Sequence, residues 1–444
     1  MTGDSTRVTT TGGREATTRH IPPKHALAVG MPSIAPPARW RWSPLSSIAR
    51  LESGHTPSRK HPEYWGGPIP WISIQDARES HGRRIDSTLE HTNDVGIANS
   101  SARILPKNTV CLSRTASVGY VVVMGRPMAT SQDFVNWVCT DQLNPDFLKY
   151  VFIAEGKELL RFASGSVHQT IYFPAAKAFH ICHPSAAEQS SIVAILDQAS
   201  EGIAAAKANA ENNLENARAI FDGQLQSVFT QGGEEWVETT IGEQIRFIDY
   251  RGKTPVKTAH GIRLITAKNV KMGFLQDKPM EYIAADNYRT WMTRGIPEKG
   301  DVLFTTEAPL ANVAQLDTAE KVAFAQRIII MQTKAETLDS TFLKYLLLSQ
   351  PIQHRIRTRG TGATVQGIKA SLLKTIEISF PRSLVEQKRL VTKLEGLRDE
   401  TQRLASIYER KLAALDALKK SLLHCAFMGE LTAKRTSELI EAVA

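Results

Sequence analysis

Along two stretches of the chain the apolar residues recur every three or four positions, and elsewhere they alternate in short runs. From Leu390 onward, Leu394, Leu397, Thr401, Leu404, Tyr408, Lys411, Leu415, Leu418 and Leu422 keep a 4-3 spacing, which is the seam of a coiled coil. The matching positions of the earlier stretch are Ile192, Leu196, Ala199, Ile203, Ala206, Ala210, Asn213, Ala217, Ile220 and Gln224, mostly small. Bulky side chains of one helix can therefore pack against small ones of the other. Each stretch follows a proline, Pro184 or Pro381, and opens on a serine, Ser185 or Ser383. These serines are natural N-caps, with Glu188 and Glu386 as capping-box partners three residues on.

The alternating runs come in matched pairs. Trp40 to Leu45 corresponds to Trp236 to Ile241, and Gly54, Thr56 and Pro57 correspond to Gly252, Thr254 and Pro255. The runs Pro70 to Asp76 and Ile262 to Asn269 each alternate as a strand and end in polar residues. Leu105 to Arg114 parallels Ile296 to Thr306, a turn followed by a strand. Phe147-Leu148-Lys149-Tyr150 recurs letter for letter as Phe342-Leu343-Lys344-Tyr345. Gly165, Gln169 and Ile171 return as Gly362, Gln366 and Ile368, and Pro184 with Glu188-Gln189 returns as Pro381 with Glu386-Gln387. Because the matches are collinear, they mark an internal repeat rather than chance recurrence of short apolar strings.

The pattern predicts an α/β (α+β) tandem repeat. Globular units span 40–184 and 231–383, and long helices span 185–230 and 384–428. An N-terminal tail (1–39), rich in Thr, Pro, Gly and Arg, reads as disordered, and a short end (429–444) closes the chain. The first helix would be about 67 Å long, whereas the link to the second unit reaches about 20 Å when fully extended. A parallel helix pair would need that link to return the whole helix length. The helices are therefore expected to pair antiparallel, as a two-helix coiled coil separating two globular units related by a pseudo-two-fold axis. Such a frame suits a partner with two separated, equivalent contact sites, and duplex DNA has them about one turn (roughly 34 Å) apart.

Charge sharpens this picture modestly. The 444 residues include 54 Lys plus Arg against 45 Asp plus Glu, a net charge of +9. By segment the balance is +3 for 1–39, +3 for 40–184, −4 for 185–230, +5 for 231–383 and +2 for 384–444. The excess thus sits in the globular units and the tail, while the first helix is acidic. A basic balance permits a polyanionic partner without requiring one. Cys111, Cys139, Cys182 and Cys425 lie far apart with no C-x-x-C pair, so a reducing, cytoplasmic setting is expected rather than a disulfide framework or zinc ribbon. No apolar run approaches the length that spans a bilayer.

Motifs for catalysis are missing. Asn144-Pro145-Asp146-Phe147 resembles the N-P-P-F/Y clamp of adenine methyltransferases only superficially, since Asp146 replaces the second proline and the other repeat has Asp339-Ser340-Thr341-Phe342. A helix start accounts for both segments. Gly360-Thr361-Gly362 and Gly367-Ile368-Lys369 lack phosphate-loop spacing, and the histidines show no ligand spacing. What remains are polar residues at corresponding places in the two repeats. Ser73, Gln75 and Asp76 stand against Thr266, Lys268 and Asn269; Ser113, Arg114 and Ser117 stand against Thr305, Thr306 and Asn312. The loop holding Ser166, His168 and Gln169 stands against the one holding Thr364 and Gln366, with Lys369 just beyond. Such side chains read base edges or bind phosphates, although each alone also fits a turn hydrogen bond or a solvated position.

The W-x-x-x-x-L/I start, the glycine-flanked loop, the P-x-x-x-E-Q helix entry and the final Ala426 to Thr432 (AFMGELT) together resemble the specificity subunit of type I restriction-modification systems. The likeness covers Trp40 to Lys434. In the second repeat Pro381 and Glu386 stand one residue further apart than in the first. The resemblance implies two target recognition domains that read a bipartite, gapped sequence in double-stranded DNA, with the helices setting the gap. It also implies a subunit that is not itself an enzyme and holds no cofactor or metal. Its partners would be two methyltransferase subunits using S-adenosylmethionine and, optionally, two restriction subunits using ATP and Mg. Two other readings compete with this one. A self-sufficient methyltransferase-nuclease would need the glycine-rich cofactor strand-turn that the sequence lacks, and a coiled-coil scaffold would leave the polar loops idle.

Overall fold

The computed structural model describes residues 24–27, 36–37, 39–115, 117–165, 169–233, 235–250, 254–362 and 366–431. The chain divides into two compact units, 1–209 with 411–444, and 210–410. Each unit therefore holds one globular repeat and a portion of both long helices.

In the first unit the strands are β1 (Arg41–Pro44), β2 (Ala49–Ser53), β3 (Trp65–Ile72), β4 (Arg84–Ile85), β5 (Glu90–Thr92), β6 (Val110–Ser113), β7 (Val121–Met124), β8 (Ala129–Thr130), β9 (Phe134–Cys139) and β10 (His180–His183). They form a main sheet in the order β2-β9-β6-β7-β4, a small sheet β5-β3-β8, and the pair β1-β10 that closes the repeat on itself. Helices α1 (Ile74–Glu79) and α2 (Pro145–Glu155) precede the long α3 (Ala186–Gln231).

The second unit repeats this order with β11 (Trp236–Thr240), β12 (Ile245–Asp249), β13 (Ile262–Ile265), β14 (Glu281–Ile283), β15 (Val302–Thr306), β16 (Leu310–Gln315), β17 (Val322–Phe324), β18 (Ile328–Thr333) and β19 (Glu377–Pro381). Its sheets run β12-β18-β15-β16, β14-β13-β17 and β11-β19. In both small sheets the central strand pairs antiparallel on one side and parallel on the other. Helices α4 (Ser340–Leu348), α5 (Gln350–Thr358) and α6 (Leu384–Phe427) complete the unit, with the end of α6 belonging to the first.

Period-two alternation explains the main sheets. Val110, Leu112, Val121, Val123, Val135 and Trp137 face a core shared with α2 and the long helices, while Cys111, Val122, Met124 and Phe134 face a second core. In the other unit Phe304, Val313, Ile329 and Met331 face one core and Leu303, Ala314, Ile328 and Ile330 the other. A sheet buried on both faces has little freedom to slip register, because a one-residue slip exchanges every side chain between cores. Cys111, Cys139 and Cys182 are free thiols. Burial pushes the Cys139 and Cys182 thiols up to about 12, so they are poor nucleophiles.

The repeated motifs are helix-docking devices. Gln189 is fully buried; its Oε1 accepts from Asn144 N–H (2.8 Å), and its amide donates to Gln142 O (3.0 Å) and Pro184 O (3.1 Å). Gln387 does the same with Asp339 N–H (2.8 Å), Thr337 O (2.9 Å) and Pro381 O (2.8 Å). The repeated Phe-Leu-Lys-Tyr starts at the third residue of α2 and α4, whose N-termini are capped by Asn144 and Asp339. Its lysine lies buried over the ring of the next tyrosine and reaches a carboxylate on the long helix: Lys149 to Asp197 (3.6 Å) and Lys344 to Glu395 (3.6 Å). Within the second unit the long helices run antiparallel: Arg218 pairs with Glu409 (3.0 Å), while Leu225 and Phe229 share a core with Val391 and Leu394.

Several expectations need correction. The α3 seam holds through Ala210 and then shifts: Asn213 and Ile220 are exposed, Leu214 and Phe221 are half-buried in their place, and Leu225 and Phe229 are buried. The cause is that Phe221 packs near Tyr345 and Phe229 against Trp236 and Phe342, so the stripe follows its own globular repeat, a stutter in the 4-3 pattern. Glu188 accepts from Trp40 Nε1 (3.1 Å) and Glu386 pairs with Arg389, while Ser185 and Ser383 cap the helices as expected. The segment read as a disordered tail contributes Ala26–Leu27 as a parallel strand on β10, because Leu27 finds the first core. The polar residues after Ile72 belong to α1 rather than to a strand end.

Gln387→Leu keeps the volume but strands one N–H and two carbonyls, and is expected to cost about 3 kcal/mol, read as a lower urea midpoint. Glu386→Ala, at the half-buried neighbouring position with its carboxylate paired to Arg389, should stay within about 0.5 kcal/mol.

Candidate nucleic-acid interface

In the first unit five segments meet at one end of the main sheet, and backbone hydrogen bonds tie each to the next. Gly54 and His55 after β2 donate to Phe134 O (3.3 Å) and Thr130 O (2.9 Å); Ser131 N–H donates to Ile72 O (3.0 Å), beside Ser73. Arg114 N–H donates to Asp133 O (2.7 Å), Gly82 N–H to Val121 O (2.8 Å), and Ile171 N–H to Arg114 O (2.8 Å). The second unit repeats these ties. Thr306 N–H donates to Arg327 O (2.9 Å), Gly273 N–H to Val313 O (2.7 Å), and Ile368 N–H to Thr306 O (3.0 Å).

The glycine-flanked loops are pinched at the neck. Ser164 and Thr170 exchange both backbone hydrogen bonds (2.9 and 3.0 Å), as do Thr361 and Gly367 (2.8 and 2.9 Å). Inside each neck stands a glycine at positive φ, Gly165 (112°) and Gly362 (117°), a backbone state that a Cβ disfavours. Ser166 and His168 of one tip and Thr364 of the other lie outside the described residues. Gln169, Gln366 and Lys369 are exposed beside the necks.

Two pairs of sequence candidates turn out to be latches. Thr305 is fully buried; its hydroxyl donates to Pro309 O (2.6 Å) and accepts from Asn312 N–H (2.9 Å). Ser113 does the same with Ser117 O (2.5 Å) and Tyr120 N–H (2.8 Å), pinning the hairpin at the same two offsets. Asn269 is likewise buried. Its Oδ1 accepts from Thr266 N–H and Oγ1 (both 2.9 Å), and its amide donates to Gln276 O (3.1 Å) and Pro279 O (3.0 Å). Asp76 holds Ser73 in the equivalent cap. With their polar atoms engaged internally, Thr305 and Asn269 have little left for a ligand, and Ser73 and Thr266 serve chiefly as caps.

Of the remaining candidates, Gln75 and Gln169 in the first repeat and Lys268, Gln366 and Lys369 in the second are exposed, while Arg114 and Ser117 are half-buried. Arg114 keeps one side-chain bond, Nε to Gln132 O (3.1 Å), which leaves its outer nitrogens to spare. Sequence reasoning passed over other residues at the same end. Gln132 is exposed there. So are the turns His81-Gly82-Arg83 and Met272-Gly273-Phe274, which occupy equivalent places; their shared glycine was the available signal. Among the described residues no group of His, Cys, Asp and Glu is placed to hold a metal ion, and no helix is long and apolar enough to cross a membrane.

Thr305→Val should cost about 1–3 kcal/mol by stranding the Asn312 N–H, with faster amide exchange at Asn312. Lys268→Ala, on the exposed side of the same end, should leave the urea midpoint within about 0.5 kcal/mol of the parent.

The model of the Type I restriction modification DNA specificity domain matches residues 37–216 and again 234–409. Among curated proteins, the type I restriction enzyme MjaIX specificity subunit of Methanocaldococcus jannaschii is 31% identical over 162 residues, 36% of this chain and 38% of that protein. The EcoprrI specificity subunit of Escherichia coli is 28% identical over 169 residues, 35% and 41% of the two chains. The matched segments thus span well under half of these relatives. A chain solved in work on complex assembly and conformational transition of the type I R-M system superposes with a TM-score of 0.71 at 19% identity, over 89% of this chain and 100% of that one. The HsdS subunit of Thermoanaerobacter tengcongensis gives 0.58 at 18%, over 89% and 98%. These likenesses speak for the fold, while the family model, matched once by each repeat, gives the membership: the chain belongs to the type I restriction-modification DNA specificity domain family and carries that domain twice.

Proposed function

We propose that the chain is the non-catalytic, DNA-reading subunit of a type I restriction-modification enzyme. Each repeat's loop end reads one half of a gapped target in double-stranded DNA. The chain directs two adenine methyltransferase subunits, and two ATP-dependent restriction subunits where present, to that target. S-adenosylmethionine, ATP and Mg act in those partners. One observation carries the reading: the two repeats keep the same backbone latches at the same end of the sheet but, the matched Gln169 and Gln366 apart, present different outward side chains. A scaffold with fixed loops and variable tips is what sequence discrimination requires, since backbone contacts position a reader and side chains at base edges specify. Gln75, Arg114, Ser117 and Gln169 are the contacts proposed for the first half-site, and Lys268, Gln366 and Lys369 for the second. Ser166, His168 and Thr364 join them at the loop tips.

Exchanging residues 40–184 for the matching domain of another family member should change one half of the recognised sequence and leave the other intact. Sequencing N6-methyladenine in a host expressing the chain with its methyltransferase reads this directly. If both halves stay as they were, the two-reader proposal fails. Binding should also weaken steeply with salt, the slope shrinking by about 0.9 for each phosphate contact removed, as Lys369→Ala would show. Methylation of DNA by the purified chain alone would point instead to a self-sufficient enzyme.

A further inference from the structure

The turn that both repeats place beside the main-sheet hairpin carries opposite chemistry in the two halves. Gly82 and Gly273 occupy the same position: both have positive φ (77° and 90°), both donate N–H to the second strand of the main-sheet hairpin, at Val121 and Val313, and each lies near a helix end, at Ile153 and Leu348. In the first repeat this glycine is flanked by His81 and Arg83, and in the second by Met272 and Phe274. His81 accepts from Val121 N–H through Nδ1 and lies edge-on to Tyr120. Met272 and Phe274 project into solvent, 44% and 59% exposed, and Met280, seven residues after the glycine, is 57% exposed.

Three large apolar side chains in one short loop leave a patch that water disfavours and a partner would cover. The loop is braced, not slack. Lys271 N–H donates to Phe274 O (3.0 Å), Gln276 N–H to Asn269 O (2.9 Å), and the Asn312 amide to Val270 O (2.9 Å). The same segment carries Lys268 and Lys278, both exposed, and the half-buried Lys271. The neighbouring carboxylates are already engaged, Asp277 by Arg263 (2.9 Å) and Glu281 by Lys257 (2.8 Å). An exposed apolar loop that also carries lysines fits a ligand that is anionic outside and aromatic inside, which describes stacked bases between phosphates.

We infer that the 271–280 loop is a wedge, resting on the DNA-reading role proposed above: Phe274, flanked by Met272 and Met280, stacks into a base step of the half-site read by the second repeat, while Lys268, Lys271 and Lys278 hold the adjoining phosphates. Phe and Met wedges partly unstack the step they enter, so easily opened pyrimidine–purine steps are favoured there. The first repeat, with His81 and Arg83 at the same turn, reads without such a wedge. The two half-sites then differ in mechanism as well as in sequence.

The test uses the full chain without methyltransferase and duplexes built on the gapped motif found by N6-methyladenine sequencing, with 2-aminopurine placed at successive positions of both half-sites. The expected result is a several-fold fluorescence rise at one step of the second half-site and none in the first. Phe274→Ala should abolish it and weaken binding about ten- to hundredfold, while Phe274→Trp restores both. Because Phe274 is exposed, the urea midpoint of Phe274→Ala should match the parent, which separates a lost wedge from a lost fold. Should Phe274→Ala bind as tightly as the parent, or the second half-site stay dark, the wedge is overturned even though a gapped motif exists. Absence of any gapped motif overturns the DNA-reading role itself.

Discussion

The geometry of each repeat hangs on one buried amide. Gln189 and Gln387 each satisfy a backbone N–H and two carbonyls where chain segments converge at the root of a long helix. Without the amide those groups would be shut away from water unpaired, at a cost no helix propensity could offset. A second fastening lies about two turns on, where Lys149 or Lys344 reaches the same helix. Two fixed points define a line. They set the direction of a helix of 46 residues in the first repeat and 44 in the second, and an angular error at the root would grow along a rod of nearly 70 Å, at about 1.5 Å per residue.

The loop end obeys the same logic at shorter range. A hydroxyl in each repeat, Ser113 or Thr305, pins its hairpin, and a carboxylate or amide, Asp76 or Asn269, pins the segment after the small-sheet strand. Preorganised loops spend less entropy on binding, so the interaction energy of the outward side chains is available for discrimination. Internal polar bonds at this end are thus what frees its surface to vary.

Much of this was legible in the sequence, and the reason is physical. Coiled-coil spacing, paired strands and the duplicated Phe-Leu-Lys-Tyr and Glu-Gln signatures report packing and buried polar bonds, which constrain residue type at fixed offsets. The stutter after Ala210 was not legible, because it depends on Phe221 meeting Tyr345, far away in sequence. Nor could sequence separate Thr305 and Asn269, turned inward, from Lys268, turned outward, since a polar residue near a turn serves equally as latch or as contact. The Met272 and Phe274 turn was passed over for the opposite reason: apolar residues read as core until their exposure is seen.

Duplication normally carries the expectation of two equivalent sites, yet here equivalence stops at the backbone and the side chains that latch it. Both repeats hold a glycine turn against the same strand, one flanked by an imidazole and a guanidinium, the other by a thioether and a phenyl ring. The first pair suits hydrogen bonds to base edges or phosphates, which read a pattern of donors and acceptors. The second suits stacking, which reads how readily a step opens. Since a duplex presents both kinds of information everywhere, two copies of one scaffold can report on it in different terms. On the proposed reading, a subunit built this way has no reason to prefer a palindrome, and an asymmetric target would follow from side chains at one turn without any change in the fold that carries them.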